Sequence, residues 1–103
     1  MDDQMNEVVL TIKCNDMADP KIQRSKFDQT LDENGWFLLK QEEVKRQGNL
    51  ISTTTIWTQS FILEKPPARI EKQIRNLLKR AAEYAEIEFY SADYIFRGNR
   101  HSI

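Results

Sequence analysis

Hydrophobic residues alternate at the start of the chain. Val8, Leu10, Ile12 and Cys14 fall on one side, and Val9, Thr11 and Lys13 on the other. A period of two, rich in β-branched residues, predicts a first strand over Glu7–Cys14. A polar stretch from Asn15 to Asp19 follows. Asp19-Pro20 then predicts a helix start, because Asp can cap and Pro is tolerated at the first helical position. That helix should run to Glu33 and stop at Asn34-Gly35. Phe27 and Leu31 would line its inner face, with Ile22 off the stripe. Two strands are predicted next, Trp36–Lys45 and Leu50–Leu63, joined by Gln47-Gly48-Asn49, where Gly48 supplies the turn. The run from Ser52 to Thr58 is strongly β-prone. Pro66-Pro67 closes the third strand and opens a second helix, Ala68–Ala85. Its apolar stripe is the clearest periodic signal in the chain: Ile70, Ile74, Leu77, Leu78, Ala81 and Ala85. The last predicted strand is Glu86–Ser91. A tail from Asp93 is expected to dock through Tyr94, Ile95 and Phe96 and to fray after Gly98.

The order β-α-β-β-α-β is that of a split βαβ, ferredoxin-like unit. The expected fold is α+β: a four-stranded antiparallel sheet with two helices on one face. It forms a single domain over 1–103, with a core over about 7–96 and flexible ends at 1–5 and 98–103. Trp36, Phe37, Leu38, Leu39, Ile56, Trp57, Phe61 and Ile62 compete for the two sheet faces, and two short helices cannot cover them all. The open face should therefore be apolar and in contact with a partner. Trp36, Trp57, Phe61 and Tyr90 are the expected interface residues, in a homodimer or against another protein.

Composition narrows the class. With 103 residues a second core is not expected. No apolar run is long enough to span a membrane. The acidic start MDDQMNE has no basic-then-apolar signal, so the expectation is a cytoplasmic protein. Cys14 is the single cysteine and can form no internal disulfide. The net charge of −1 conceals an uneven distribution. Residues 1–43 sum to −5, residues 44–82 to +6 and residues 83–103 to −2. A basic middle segment in a near-neutral chain suits a local polyanion surface.

Several chemistries are excluded. The three glycines, Gly35, Gly48 and Gly98, form no phosphate-cradling loop, and one histidine does not build a Ser-His-Asp set. The first strand has no aromatic to stack a base, unlike an RNA-recognition motif. What remains is a set of candidates. Asp16 ends the first strand; doubled across a two-fold axis it could hold a divalent metal and clamp a phosphodiester, so the cofactor expectation is none or such a metal. Lys72, Arg75 and Lys79 form one ridge of the second helix, flanked by Arg69 and Arg80, and suit phosphates. Lys45 and Arg46 at the hairpin could extend that track, and Arg24 and Lys26 add charge on the first helix. On this topology, a nucleic acid gripped by the helices would miss Asp16 unless it crossed the sheet edge. His101 is the only residue of its type and could act as a general base on an RNA 2′-OH. Cys14 reads as a buried strand residue.

The run Val-Val-Leu-Thr-Ile-Lys-Cys-Asn-Asp ending at Asp16, a helix closing on Asn34-Gly35-Trp36 and a long hairpin resemble two related groups. One is the CRISPR-associated spacer-acquisition and virulence-associated (VapD-type) ferredoxin-like nucleases, dimers with an acid at the end of the first strand. The other is the GhoS family of small endoribonuclease antitoxins of type V toxin–antitoxin systems. The likeness to GhoS extends through Ala68–Arg75, which resembles its second helix, and Ser91–Arg97, which resembles its acid-aromatic-Arg ending. The resemblance implies RNA cleavage, with Asp16 as the residue to test, followed by Arg24 and Lys26. Two readings therefore stand at this level. The protein is an RNA-binding endoribonuclease antitoxin that cleaves a toxin transcript, or it is a non-catalytic interaction module working through its open sheet face.

Overall fold

The computed structural model describes residues 5–62 and 67–103. Seven elements follow in order: β1 (Met5–Asn15), α1 (Pro20–Glu33), β2 (Phe37–Arg46), β3 (Asn49–Ile62), α2 (Pro67–Ala85), β4 (Phe89–Phe96) and β5 (Asn99–Ser102). The fold is α+β, two helices and one antiparallel sheet with strand order β2-β3-β1-β4-β5. The sheet has five strands where four were expected. The expected ends of the third strand at Leu63 and of the following loop at Pro66 lie outside the described residues, as do residues 1–4.

Register sets the two faces, because directly opposed residues of antiparallel strands point the same way. Leu10 lies opposite Trp57 and Tyr94, and Ile12 opposite Thr55 and Ala92. These side chains join Phe27 and Leu31 of α1 and Ile70, Ile74, Leu77 and Leu78 of α2 in one buried cluster. On the other face, Val9 lies between Thr58 and Ile95, and Thr11 between Ile56 and Asp93.

The expected interface aromatics are therefore core residues. Trp36, Trp57 and Phe61 are at most 5% exposed. Trp36 meets Phe61 edge-on at 6.0 Å, and the Trp57 indole N–H donates to Thr55 Oγ1 at 2.8 Å. Tyr90 pairs with Cys14, so it faces the helices too, and its ring packs against Phe27 at 6.4 Å. The reason is parity: Leu10 is fully buried, so its partner Trp57 must face inward with it. The exposed large apolar residues lie elsewhere, with Phe37, Leu38, Leu39 and Val44 all on β2.

The C-terminal third departs most from expectation. Glu86 turns the chain at a φ of +58, and β4 begins at Phe89 rather than Glu86. It then runs past Ser91 to Phe96 because all eight residues pair with β1, from Asn15↔Phe89 to Val8↔Phe96. Arg97 and Gly98, at φ of +54 and +79, form a tight turn with positive φ at both central residues. Residues beyond Gly98, expected to fray, return as β5 on the outer edge of β4. Gln47 and Gly48 make the same kind of turn between β2 and β3.

At the start of α1, the Asp19 side chain makes no capping bond. The Asp19 backbone N–H instead donates to Gln23 Oε1 at 2.7 Å, and Gln23 Nε2 donates to the Glu86 carbonyl at 2.7 Å. One glutamine thus satisfies the helix start and ties it to the α2–β4 connection.

Candidate functional site

The sheet order separates the basic residues. Lys45 and Arg46 lie on β2 at one edge, and β5 forms the other. They do not extend the α2 ridge, as the sequence suggested, because α2 reaches β4 through Glu71 and Tyr94, and β3 and β1 lie between β4 and β2. Arg24 also belongs to the β2 side. Its guanidinium donates to Asp28 at 3.0 Å and to Glu43 at 3.4 Å, and its side chain is only 13% exposed. Lys45 approaches the same Glu43 at 3.9 Å. Lys26 points the opposite way, its ammonium 5.5 Å from the centre of the Tyr84 ring on α2. Two positions along a helix differ by about 200° in direction, so Arg24 and Lys26 cannot converge. Asp16 stands exposed just beyond β1 with a φ of +51. Among the described residues, no group of three His, Cys, Asp or Glu side chains is placed to hold a metal. The expected set Asp16, Arg24 and Lys26 is therefore not assembled within one chain.

Between α1 and the β2–β3 hairpin lies an open cleft of about 610 Å³, lined by Lys21, Arg24, Asp28, Glu43, Lys45 and Asn49 among others. Its charges are mixed and largely satisfied by one another. Beneath it, Cys14 is 6% exposed. Burial pushes its thiol up to about 11, the Asp28 carboxylate adds to the rise, and Arg24 opposes it. Burial also raises Asp28, against the pull of Arg24. A thiol held protonated in this way is a core residue rather than a nucleophile.

The other edge carries a different arrangement. Tyr94 is 3% exposed. Its hydroxyl donates to Glu71 Oε1 at 2.6 Å, and Arg75 donates twice to Glu71 Oε2, at 3.1 and 2.9 Å. The bonds from Tyr94 and then Arg75 hold Glu71 below the usual carboxylate range. Burial, then Glu71, pushes Tyr94 up to about 12. His101, opposite Tyr94 on β5, stacks on the Tyr94 ring at 4.9 Å with an interplanar angle of 23°. The imidazole is exposed and lies near enough to Glu71 to help depress it.

Helix geometry connects this cluster to the basic ridge. At about 100° per residue, Arg75, Lys79 and Lys72 follow Glu71 around one flank of α2. Glu71 reaches Tyr94 of β4, and Lys79 lines a groove with Ile87 and Tyr90 and with Glu83, Glu86 and Glu88. Lys72 lies nearly opposite the buried stripe and points outward. Arg69 and Arg80 fall on the other flank, toward Tyr84. All five cations are exposed. The helix thus presents Arg75 and Lys79, with Lys72 beyond them on the outer surface, beside a histidine, a tyrosine and a carboxylate. Tyr94 and Glu71 were not legible as site residues, since neither forms a motif. The signal that could have found His101 is Arg97-Gly98 read as a hairpin turn, which brings Asn99–Ser102 back along β4.

No known protein family matches the chain, and no curated protein does. Solved structures do resemble it. A phage SAM lyase in its apo state aligns at 12% identity with a TM-score of 0.53, over 95% of this chain and 89% of that one. The YxeP protein of Bacillus subtilis, a dinuclear metal-binding peptidase of the M20 family, aligns at 12% identity with a TM-score of 0.61. That match covers 96% of this chain but 27% of the peptidase. At these identities the likeness is one of fold alone.

Proposed function

We propose that the protein is a small RNA-binding protein of ferredoxin-like fold, extended by β5, that cleaves RNA as an antitoxin endoribonuclease does to a toxin transcript. The order β2-β3-β1-β4 with both helices on one face supports the fold assignment. The observation that carries the function is His101 seated on Tyr94 beside the Lys72–Arg75–Lys79 flank. Imidazole is the side chain that exchanges a proton most readily near neutral pH. A phosphodiester laid along the cations would bring a ribose toward it. His101 would take the proton from the 2′-oxygen, which attacks phosphorus. The new P–O2′ bond replaces the P–O5′ bond, and the leaving 5′-oxygen takes a proton from water. The products are a 2′,3′-cyclic phosphate and a 5′-hydroxyl, with no metal required. Asp16 remains the candidate of the metal-dependent route.

The test is incubation with total RNA, with and without a divalent metal, for wild type, His101→Ala and Asp16→Ala. The expected result is metal-independent cleavage that His101→Ala abolishes and Asp16→Ala spares. Metal-dependent cleavage lost in Asp16→Ala would move the site to the end of β1. Absence of cleavage by the pure protein under every condition would leave the second reading, a non-catalytic interaction module, which the exposed apolar residues of β2 favour.

A further inference from the structure

β2 is an edge strand of ten residues, and all ten are exposed. Phe37, Leu38, Leu39 and Val44 on it are between 45% and 70% exposed. An uncovered strand of this length offers a row of backbone donors and acceptors to another strand. Charged residues on an edge strand ordinarily deter such pairing. Here their placement selects one partner.

Pairing with β3 fixes which way β2 side chains point. Lys40, Glu42 and Val44 lie opposite Ile56, Thr54 and Ser52, on the face away from the helices. Gln41 and Glu43 lie opposite Thr55 and Thr53, on the helix side. The register shift between Leu38 and Lys40 makes this alternation restart after Leu39. Two copies meeting edge to edge in antiparallel fashion are related by a two-fold axis normal to the sheet. Such an axis keeps the helices of both copies on the same side. Opposed residues must then share a face, so the axis passes through a residue and not between two. With Lys40 on the axis, two lysines oppose each other. With Glu42 on the axis, two glutamates do. With Gln41 on the axis, Lys40 of each copy lies opposite Glu42 of the other. Lys40 and Glu42 already form an ion pair at 2.9 Å within the strand, and their side chains are 62% and 58% exposed. The second copy would complete a square of alternating charges.

We propose that β2 is the homodimer interface, pairing with β2 of a second copy about Gln41 to make one continuous ten-stranded sheet. The occupant is a second copy and not a foreign peptide, because the strand's own charges are self-complementary. A register about Val44 also opposes Glu43 to Lys45 and Glu42 to Arg46, but it sets the Gln47-Gly48 turn against Gln41 and Lys40 of the other copy, whereas the register about Gln41 sets strand against strand. The inference uses the edge opposite β5 and is independent of the RNA reading.

The test is analytical ultracentrifugation of the full chain from about 1 μM to about 0.5 mM, for wild type, Lys40→Glu and Glu42→Lys. Wild type should sediment with twice the 12.2 kDa chain mass at the upper concentrations. Each single reversal sets like charges opposite each other and should raise the dimer dissociation constant at least about ten-fold, which is roughly 1.4 kcal/mol. Mixed in equal amounts, the two variants should dimerise with each other, since two acidic positions of one copy then face two lysines. Both sites are exposed, so circular dichroism should be unchanged in either. A wild type that stays monomeric throughout, single variants that dimerise like wild type, or a mixture that does not recover the dimer would each overturn the proposal.

Discussion

Tyr94 has its hydroxyl in one place and its ring in another. The hydroxyl reaches under α2 to Glu71, while the ring carries His101. This has a consequence in acid. Glu71 has its folded value depressed, so its contribution to stability is complete above the ordinary 4.5 and is lost as pH falls through the folded value. Tyr94→Phe removes the first cause of that depression. The stability gap between wild type and Tyr94→Phe should therefore narrow below about pH 4.5, as followed by urea unfolding at a series of pH values. In alkali the sign reverses. The unfolded tyrosine ionises near 10 and the folded one near 12, so stability should fall as pH rises between them. Cys14 gives a second check at this scale. With its thiol pushed up to about 11, only about a thousandth is thiolate at pH 8. Its reaction with a disulfide reagent should be slow in the native protein and become complete on unfolding. The sequence marked Cys14 as buried because strand parity suffices for that. It could not mark Tyr94, because the partner that defines its role is 23 residues away on a helix.

α2 was readable as an element and β4–β5 was not, and the difference is physical. A helix shows its buried face through local spacing, and every residue of the stripe at Ile70, Ile74, Leu77, Leu78, Ala81 and Ala85 is buried. Leu78→Ala should accordingly cost about 2–5 kcal/mol in denaturant unfolding, whereas Ile22→Ala, at a site 54% exposed, should cost far less. β4 is instead defined by its neighbour. Phe89 is 55% exposed although it is the strand's first residue, and Ser91 and Asp93 look like breaks until β1 pairs with them. β5 depends on the Arg97-Gly98 turn, whose positive φ values a β-branched residue resists. Gly98→Val should loosen β5 without dissolving the core, since Tyr94 and Phe96 remain paired with β1. Hydrogen exchange should then speed up at Asn99–Ser102 and stay slow at Leu10 and Ile12.

For the molecule as a whole, the charge pattern matters less than where the fold sends each part of it. The basic middle segment was legible as a run in sequence, yet the sheet order splits it between opposite edges. Lys45 and Arg46 go with β2, where Glu43 lies 3.9 Å from Lys45 and Glu42 pairs with Lys40. Lys72, Arg75 and Lys79 go with α2 beside β4, where Glu71 and the Glu83, Glu86 and Glu88 that share a groove with Lys79 are the acids that the ridge must offset. If RNA follows the second edge, the two sets of cations should differ in a salt titration. Three phosphates neutralised on a single strand give a slope of log K against log salt of about −2, and each lost contact reduces it by about 0.7. Lys72→Gln and Lys79→Gln should therefore flatten the slope stepwise, while Lys45→Gln and Arg46→Gln should leave it unchanged. Fluorescence anisotropy of a labelled single strand across a range of salt concentrations measures both. Equal flattening by the two pairs of substitutions would mean that RNA crosses the sheet, and the site beside His101 would then lose its claim to the backbone track.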